Sequence, residues 1–239
     1  WKHVCFACLR AEEFRLASVC GLEVIKYPDH VDEVVTYYSD LGHFTHLVSL
    51  FEQGIGLEDA HIGIFTELGV LYTKHVPEKI MEHCKVFFTK LNVSKVVRAC
   101  ERARLWQPAV YLYTHDKQHD SAIKIMMERA NSWDNDIFLD AVTKVRNSEL
   151  MYKAVGYYLS FHPDLFTRLM EVMEDLIDHS RVVSQLRRTG DWALQIGQNY
   201  LKAVQKFNLS AVNEALNELL IEDEDYEALR KSIDSFNNF

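Results

Sequence analysis

The chain has 239 residues, 48% of them apolar and 26% charged, enough material for one large core or two ordinary ones. Nine glycines and four prolines are too few for an all-β sandwich, whose turns recur every ~8–12 residues. No apolar run approaches the ~18 residues of a membrane span, and a net charge of −9 argues against nucleic acid as the main partner.

Apolar stripes at helical spacing run through the whole chain. They predict about sixteen helices, near 2–10, 12–20, 30–40, 43–53, 58–74, 77–90, 93–103, 105–115, 118–129, 134–146, 148–161, 164–175, 179–188, 191–206, 209–220 and 223–235. Pro28, Pro77 and Pro163 mark helix starts, with Asp29 as a cap behind Pro28, and Pro108 sits in a first turn where its missing N–H costs little. Gly21, Gly42, Gly54 and Gly190 follow apolar runs and are read as stops. Gly63, Gly69, Gly156 and Gly197 fall inside helices, where close helix contact would compensate their poor propensity.

The segment LWQPAVYLYTHDKQHDSAIKIMM, 105–127, is a helical hairpin in miniature: two apolar stripes joined at THDKQHD. An aromatic followed three positions later by Ala or Leu recurs at Phe14, Phe44 and Trp106, and Trp192 lies 86 beyond Trp106. The spacing fits a degenerate repeat of roughly 30 residues, the period of a stacked helical hairpin. A lone hairpin cannot bury both its faces, so the pattern predicts an all-α solenoid of stacked antiparallel hairpins forming an elongated rod. Neither end reads as a polar capping repeat, WKHVCFACL beginning with apolar residues and SIDSFNNF finishing with aromatics, which points to a rod excised from something longer.

Few residues nominate chemistry. Cys5 and Cys8 form C-x2-C, with Cys20 and His3 nearby, yet the set lies in an apolar helical pattern and lacks a second C-x2-C, so core thiols are expected rather than zinc. The five cysteines form no framework and nothing resembles a signal peptide, as in a protein of a reducing cytosol. His43 with His46 and His115 with His119 have same-face helical spacing but no third ligand, and read as a helix surface and a solvated turn. The run 222–225 is acidic and reads as the start of the last helix, capped by Asp223. No phosphate loop, nucleophile elbow or kinase signature is present, so no enzyme is expected and no cofactor is called for.

Four stretches carry a resemblance: WKHVCFACLRAEEFRLASVCGL, AHIGIFTELGVLYTKHVPEKIMEH, Val142-Thr143-Lys144-Val145, and SAVNEALNELLIEDEDYEALRKSIDSFNNF. Together they make the chain similar, end to end, to the clathrin heavy-chain family; FTELGVLY and VNEALNELLIEDEDYEALRKSID with the closing NF are the most specific. The resemblance implies the proximal leg of a triskelion, with the end of one long repeat at 1–21, a complete repeat at 22–168 and the start of the next at 169–239. It implies a coat scaffold on the cytosolic face of coated pits and vesicles. Its partners would be other heavy chains, a light chain, and membranes reached through adaptors.

The same resemblance implies a light-chain interface. Its candidates are Lys74, the basic position after FTELGVLY, His162 in the Phe161-His162-Pro163 loop, and, for apolar contact, Phe88 and Trp106. Family members resembling this chain carry Lys at the place of His162, a departure that weakens one expected ion pair near pH 7. The competing expectations are a subunit of another vesicle coat or tethering complex, which should lack the two specific motifs, and an enzyme on a helical scaffold, which would need a polar pocket.

Overall fold

The structure, a computed structural model, describes residues 1–236; the closing Asn238-Phe239 of the family motif lies outside them. Among these residues there are seventeen α-helices and no strand. They form two compact units, Trp1–Gln118 and His119–Phe239.

The first unit holds α1 (Lys2–Arg10), α2 (Phe14–Ile25), α3 (Pro28–Asp40), α4 (Phe44–Gly54), α5 (Ile62–His75), α6 (Ile80–Phe87), α7 (Val93–Arg102) and α8 (Trp106–His115). Consecutive helices pair as hairpins, and each hairpin packs on the next: α2 on α4, α4 on α5, α5 on α7, α6 on α8. The result is one apolar seam through Leu9, Ile25, Phe51, Leu68, Val96 and Leu112, all wholly buried.

The second unit holds α9 (His119–Glu128), α10 (Asn135–Val142), α11 (Ser148–Phe161), α12 (Phe166–Met173), α13 (His179–Thr189), α14 (Asp191–Ile196), α15 (Gln198–Val204), α16 (Ser210–Glu222) and α17 (Tyr226–Ser235). Here α9 packs on α11, α10 on α12, α12 on α15 and α13 on α16.

Five of the helix ends share one turn. After α1, α3, α7, α8 and α16 a single residue takes positive φ, and the next amide bonds a carbonyl five residues back: Glu13 N–H to Cys8, His43 to Tyr38, Leu105 to Cys100, Gln118 to Tyr113 and Asp225 to Leu220, each at 2.9 Å. This is the Schellman geometry, which satisfies the last carbonyls of a helix without solvent. A new helix begins one residue later, and the recurring aromatics Phe14, Phe44 and Trp106 are its first residues. The left-handed position is glycine only at Gly42 (φ +75°); the others are Glu12, Arg104, Lys117 and Glu224, at φ 57–60°.

Several glycine and cap expectations are corrected accordingly. Gly21 lies inside α2 and Gly54 ends α4 with ordinary φ. Their role is contact: a Cβ on Gly21 would stand 2.9 Å from Leu50 Cδ2, and one on Gly54 2.6 Å from Ile25 Cδ1. Gly197 separates α14 from α15, so the helix expected over 191–206 is two, with Leu186 Cδ1 only 3.0 Å from where its Cβ would be. Tyr27, not Asp29, occupies the cap of α3, with Pro28 as its first residue, and Asp225, not Asp223, caps α17 through Ala228 N–H at 3.0 Å. Pro77 and Pro163 each open a 3-10 turn rather than the α-helix behind it.

The 86-residue spacing of Trp106 and Trp192 extends to whole elements. Shifted by 86, α5 falls on α11, α6 on α12, the start of α7 on that of α13, and the 3-10 turns 77–79 and 88–90 fall on 163–165 and 174–176. Side chains follow. Tyr72 and Tyr158 are equivalent and buried, and each reaches back to the preceding hairpin with its hydroxyl, to Glu52 and to Asn135, both at 2.8 Å. Asn92 and Asp178 are equivalent caps whose own amides donate to the equivalent hydroxyls of Thr66 (2.8 Å) and Tyr152 (3.1 Å).

A buried histidine of the first copy has no equivalent in the second. His83, 4% exposed, donates from Nε2 to the Phe65 carbonyl at 2.8 Å; Leu169 stands in its place in the second copy. Burial pushes the His83 pKa below the ordinary imidazole value of 6.5, and the carbonyl bond offsets this only in part. The folded state therefore binds fewer protons than the unfolded one; this stabilisation is complete above 6.5 and is lost as the pH falls from there through the depressed folded value.

Three outcomes are expected. Gly54→Val costs about 1–3 kcal/mol through overpacking, and Ile25→Val, which removes the opposing methyl, recovers part of it in a double-mutant cycle by urea unfolding. Gly42→Ala, with no atom within 4 Å of its new methyl, costs about 1–2 kcal/mol purely through its backbone, whereas Arg104→Gly gains about 0.5–1 kcal/mol. His83→Leu flattens the fall of the thermal midpoint between about pH 7 and pH 5; an unchanged slope would mean that His83 takes up its proton equally in the folded and unfolded states.

Candidate binding surface

Lys74 stands exposed in the last turn of α5, where a cation meets the negative end of the helix dipole. Across from it, α7 presents Lys95, Arg98 and Arg102 at i, i+3 and i+7, one stripe of a helix. Between the two helices runs a groove of about 900 Å³, with Lys74 and that stripe at its margins and Val70, Ala99 and Ala103 among its apolar lining. Lys95 is paired with Glu67 of α5. Among the described residues no carboxylate forms an ion pair with Lys74, Arg98 or Arg102, so three cations remain available to an anionic partner.

Phe88 and Trp106 lie elsewhere in the first unit and are not part of this groove. Phe88 opens the 3-10 turn after α6, is half-buried against the core, and lies 5.6 Å from the His115 ring. Trp106 is half-buried as the first residue of α8. Both therefore serve packing with part of their surface.

His162 belongs to the second unit, at the cap of α11, with its amide bonded to the Tyr158 carbonyl at 2.8 Å. Its ring stacks on Trp133 at 4.1 Å and 9° between planes. Trp133 in turn lies 5.2 Å from Tyr157, which lies 4.9 Å from Phe161, and Phe161 is 67% exposed. An aromatic platform thus surrounds His162. Sequence reasoning did not nominate Trp133 or Tyr157, since Trp133 comes in a short irregular connection and Tyr157 reads as one more helix aromatic. Arg98 and Arg102 were missed for a related reason: a basic stripe on a helix is what any solvated face shows.

The other candidates find bland places. Cys5, Cys20, Cys84 and Cys100 are buried, and burial pushes the thiols of Cys5 up to about 11 and of Cys84 and Cys100 up to about 12, far from reactive thiolate chemistry. Among the described residues no group of three or more His, Cys, Asp or Glu is placed to hold a metal. His46 is not merely helix surface: it stacks on Phe14 at 3.8 Å, with His43 edge-on to the same ring at 5.0 Å. His115 ends α8 and His119 begins α9, so the turn between them is Asp116–Gln118. No helix among the described residues is long and apolar enough to cross a membrane.

Comparison with known proteins places this architecture. A family model described as "Clathrin: Region in Clathrin and VPS" matches residues 22–166. The chain is 51% identical over 240 aligned residues to clathrin heavy chain 1 of Oryza sativa subsp. japonica, 46% to the clathrin heavy chain of Drosophila melanogaster and 44% to clathrin heavy chain 2 of Homo sapiens. In each case all of this chain is covered, and it spans 14% of the relative's length. With the repeat region matched over more than half of its residues and this similarity running end to end, the chain belongs to the clathrin heavy-chain family.

Proposed function

We infer that the chain is a structural segment of a clathrin coat, in the proximal leg of the triskelion, which packs against other legs in the polyhedral lattice and carries a light chain. The observation that supports this above all is the end-to-end similarity to heavy chains, in a fold whose apolar seam passes from hairpin to hairpin. In this reading residues 22–168 make one complete long repeat, with parts of its neighbours at 1–21 and 169–239. The segment acts as a scaffold, not a catalyst, on the cytosolic face of coated pits and vesicles, reached through adaptors.

Stacked hairpins suit such work. Each contact along a leg can be weak, because many of them add when two legs or a leg and a long helix lie side by side, and weak contacts let a coat come apart again. The light chain would meet Lys74 through an acidic side chain, with Phe88 and Trp106 offering the exposed parts of their rings, and would pass His162 on its aromatic platform.

Light-chain pull-down by the full chain tests the reading. Lys74→Glu is expected to weaken binding by about tenfold, ~1.4 kcal/mol, with the strongest effect at low salt; unchanged affinity removes Lys74 from the interface. His162→Lys is expected to strengthen binding by about twofold to fivefold at neutral pH, and no gain would place the light chain away from the end of α11.

A further inference from the structure

Between Glu82 and Glu101 the chain carries no acidic residue and four basic ones, Lys85, Lys90, Lys95 and Arg98, in a sequence whose net charge is −9. Ser94 stands within that segment, exposed in the first turn of α7. Its hydroxyl makes no hydrogen bond among the described residues, whereas Ser39, Ser160 and Ser184 each donate to a carbonyl of their own helix. Ser94 also lines the groove that holds Lys74, Arg98 and Arg102. Arg98 lies four residues on, so the two side chains share one face of α7.

The 86-residue register supplies a comparison. Ser180 is the equivalent serine, yet its surroundings do not suit an added anion. The cap two residues before it is Asp178, whose carboxylate already accepts from the Ser180 and Arg181 amides at 2.9 and 3.4 Å, whereas the cap before Ser94 is the neutral Asn92. Lys74 and Arg98 become Ser160 and Ser184. The neighbouring base is occupied in both copies, Lys95 by Glu67 and Arg181 by Glu149, so the difference lies in Lys74 and Arg98. An anion on Ser94 meets two cations that no carboxylate holds; on Ser180 it meets Asp178.

We propose that Ser94 is a phosphorylation site, for a serine kinase that selects basic surroundings, and that its phosphate closes onto Arg98 and lowers the positive charge of the α5/α7 groove. The serine Oγ bonds to the terminal phosphorus of a nucleoside triphosphate as the bond to the diphosphate breaks, and the hydroxyl proton passes to the kinase's base. A phosphatase hydrolyses the ester back to serine and inorganic phosphate. The added charge is about −1.5 to −2 at pH 7, placed one helical turn before a guanidinium that can bond it through two N–H groups. Only the consequence rests on the light-chain reading: with Lys74 and Arg98 drawn to the phosphate, an acidic partner is released, and loss of the phosphate restores the groove.

The test uses the full chain with genetically encoded phosphoserine in place of Ser94, titrated by phosphorus NMR. Its second ionisation is expected below the ordinary value of about 6, to return towards that value in Arg98→Ala, and to stay there when phosphoserine replaces Ser180 instead. A second ionisation no lower in place of Ser94 than in place of Ser180 overturns the proposal. Mass spectrometry of heavy chain from phosphatase-inhibited cells is expected to find phosphate on Ser94, and its absence there is equally fatal. Light-chain pull-down at low salt should weaken by about tenfold on phosphorylation and recover after phosphatase treatment. Affinity unmoved by the phosphate but lowered by Lys74→Glu sinks the release; affinity unmoved by either sinks the light-chain reading of Lys74, while the phosphate's ionisation still decides the site.

Discussion

A helix that ends inside a packed stack has a problem of unsatisfied carbonyls, and the way this chain solves it determines most of its architecture. Five times a single residue in the left-handed region folds the chain back on itself and lets the next amide bond a carbonyl five residues earlier. The turn needs no water and only three residues, so the following helix starts at once and, within each unit, runs back along the one before it. Antiparallel hairpins follow from that turn. Because each hairpin still has an apolar face with nothing against it, the next hairpin must cover it, and the seam through Leu9, Phe51, Leu68 and Leu112 is the consequence.

The two copies related by 86 residues separate what this scaffold requires from what it merely carries. Buried tyrosines tied to the preceding hairpin, a cap at the start of the third helix, and a hydroxyl that receives the amide of that cap recur in both. These are the parts that lock one hairpin to the next, each with its polar group bonded. Where the copies differ, at His83 and Leu169, Phe88 and Glu174, Ala99 and Gln185, the backbone is unaffected. Position within the repeat fixes the fold, and the side chain placed there is free to serve contact.

That division also explains how much could be read in advance. Helical periodicity is generated by burial itself, so the helices, their hairpin pairing and a period near 30 residues were legible, as was the 86-residue spacing of two tryptophans that proved to be the first helical positions after equivalent turns, or one residue on. The turns were not. Reasoning from glycine found Gly42 and Gly190 but was wrong about Gly21, and about Gly54 in its φ though not in its place at a helix end, because four of the seven described residues at positive φ are Glu, Arg or Lys, while two glycines serve close contact with Leu50 and Ile25. Of the candidate surface, Lys74 and His162 came only by resemblance. Arg98 and Arg102 carry no local mark at all; their meaning depends on Val70 and Ala99, on two helices, leaving room beside them.

The weakness of surface electrostatics completes the picture. The ion pairs here are mostly exposed, such as Lys2 with Glu33 and Arg168 with Glu171, and pairs of that kind contribute ~0–1 kcal/mol each. A fold that rests on its seam loses little when such pairs are rearranged, so Arg181 can close onto Glu149 while its equivalent Lys95 closes onto Glu67, and Arg98 stays without an ion pair where the other copy has Ser184. Cations left open in this way cost the monomer almost nothing in water, yet gain strength once a partner excludes solvent around them. A stack of hairpins is therefore able to write different contact surfaces on nearly identical backbones.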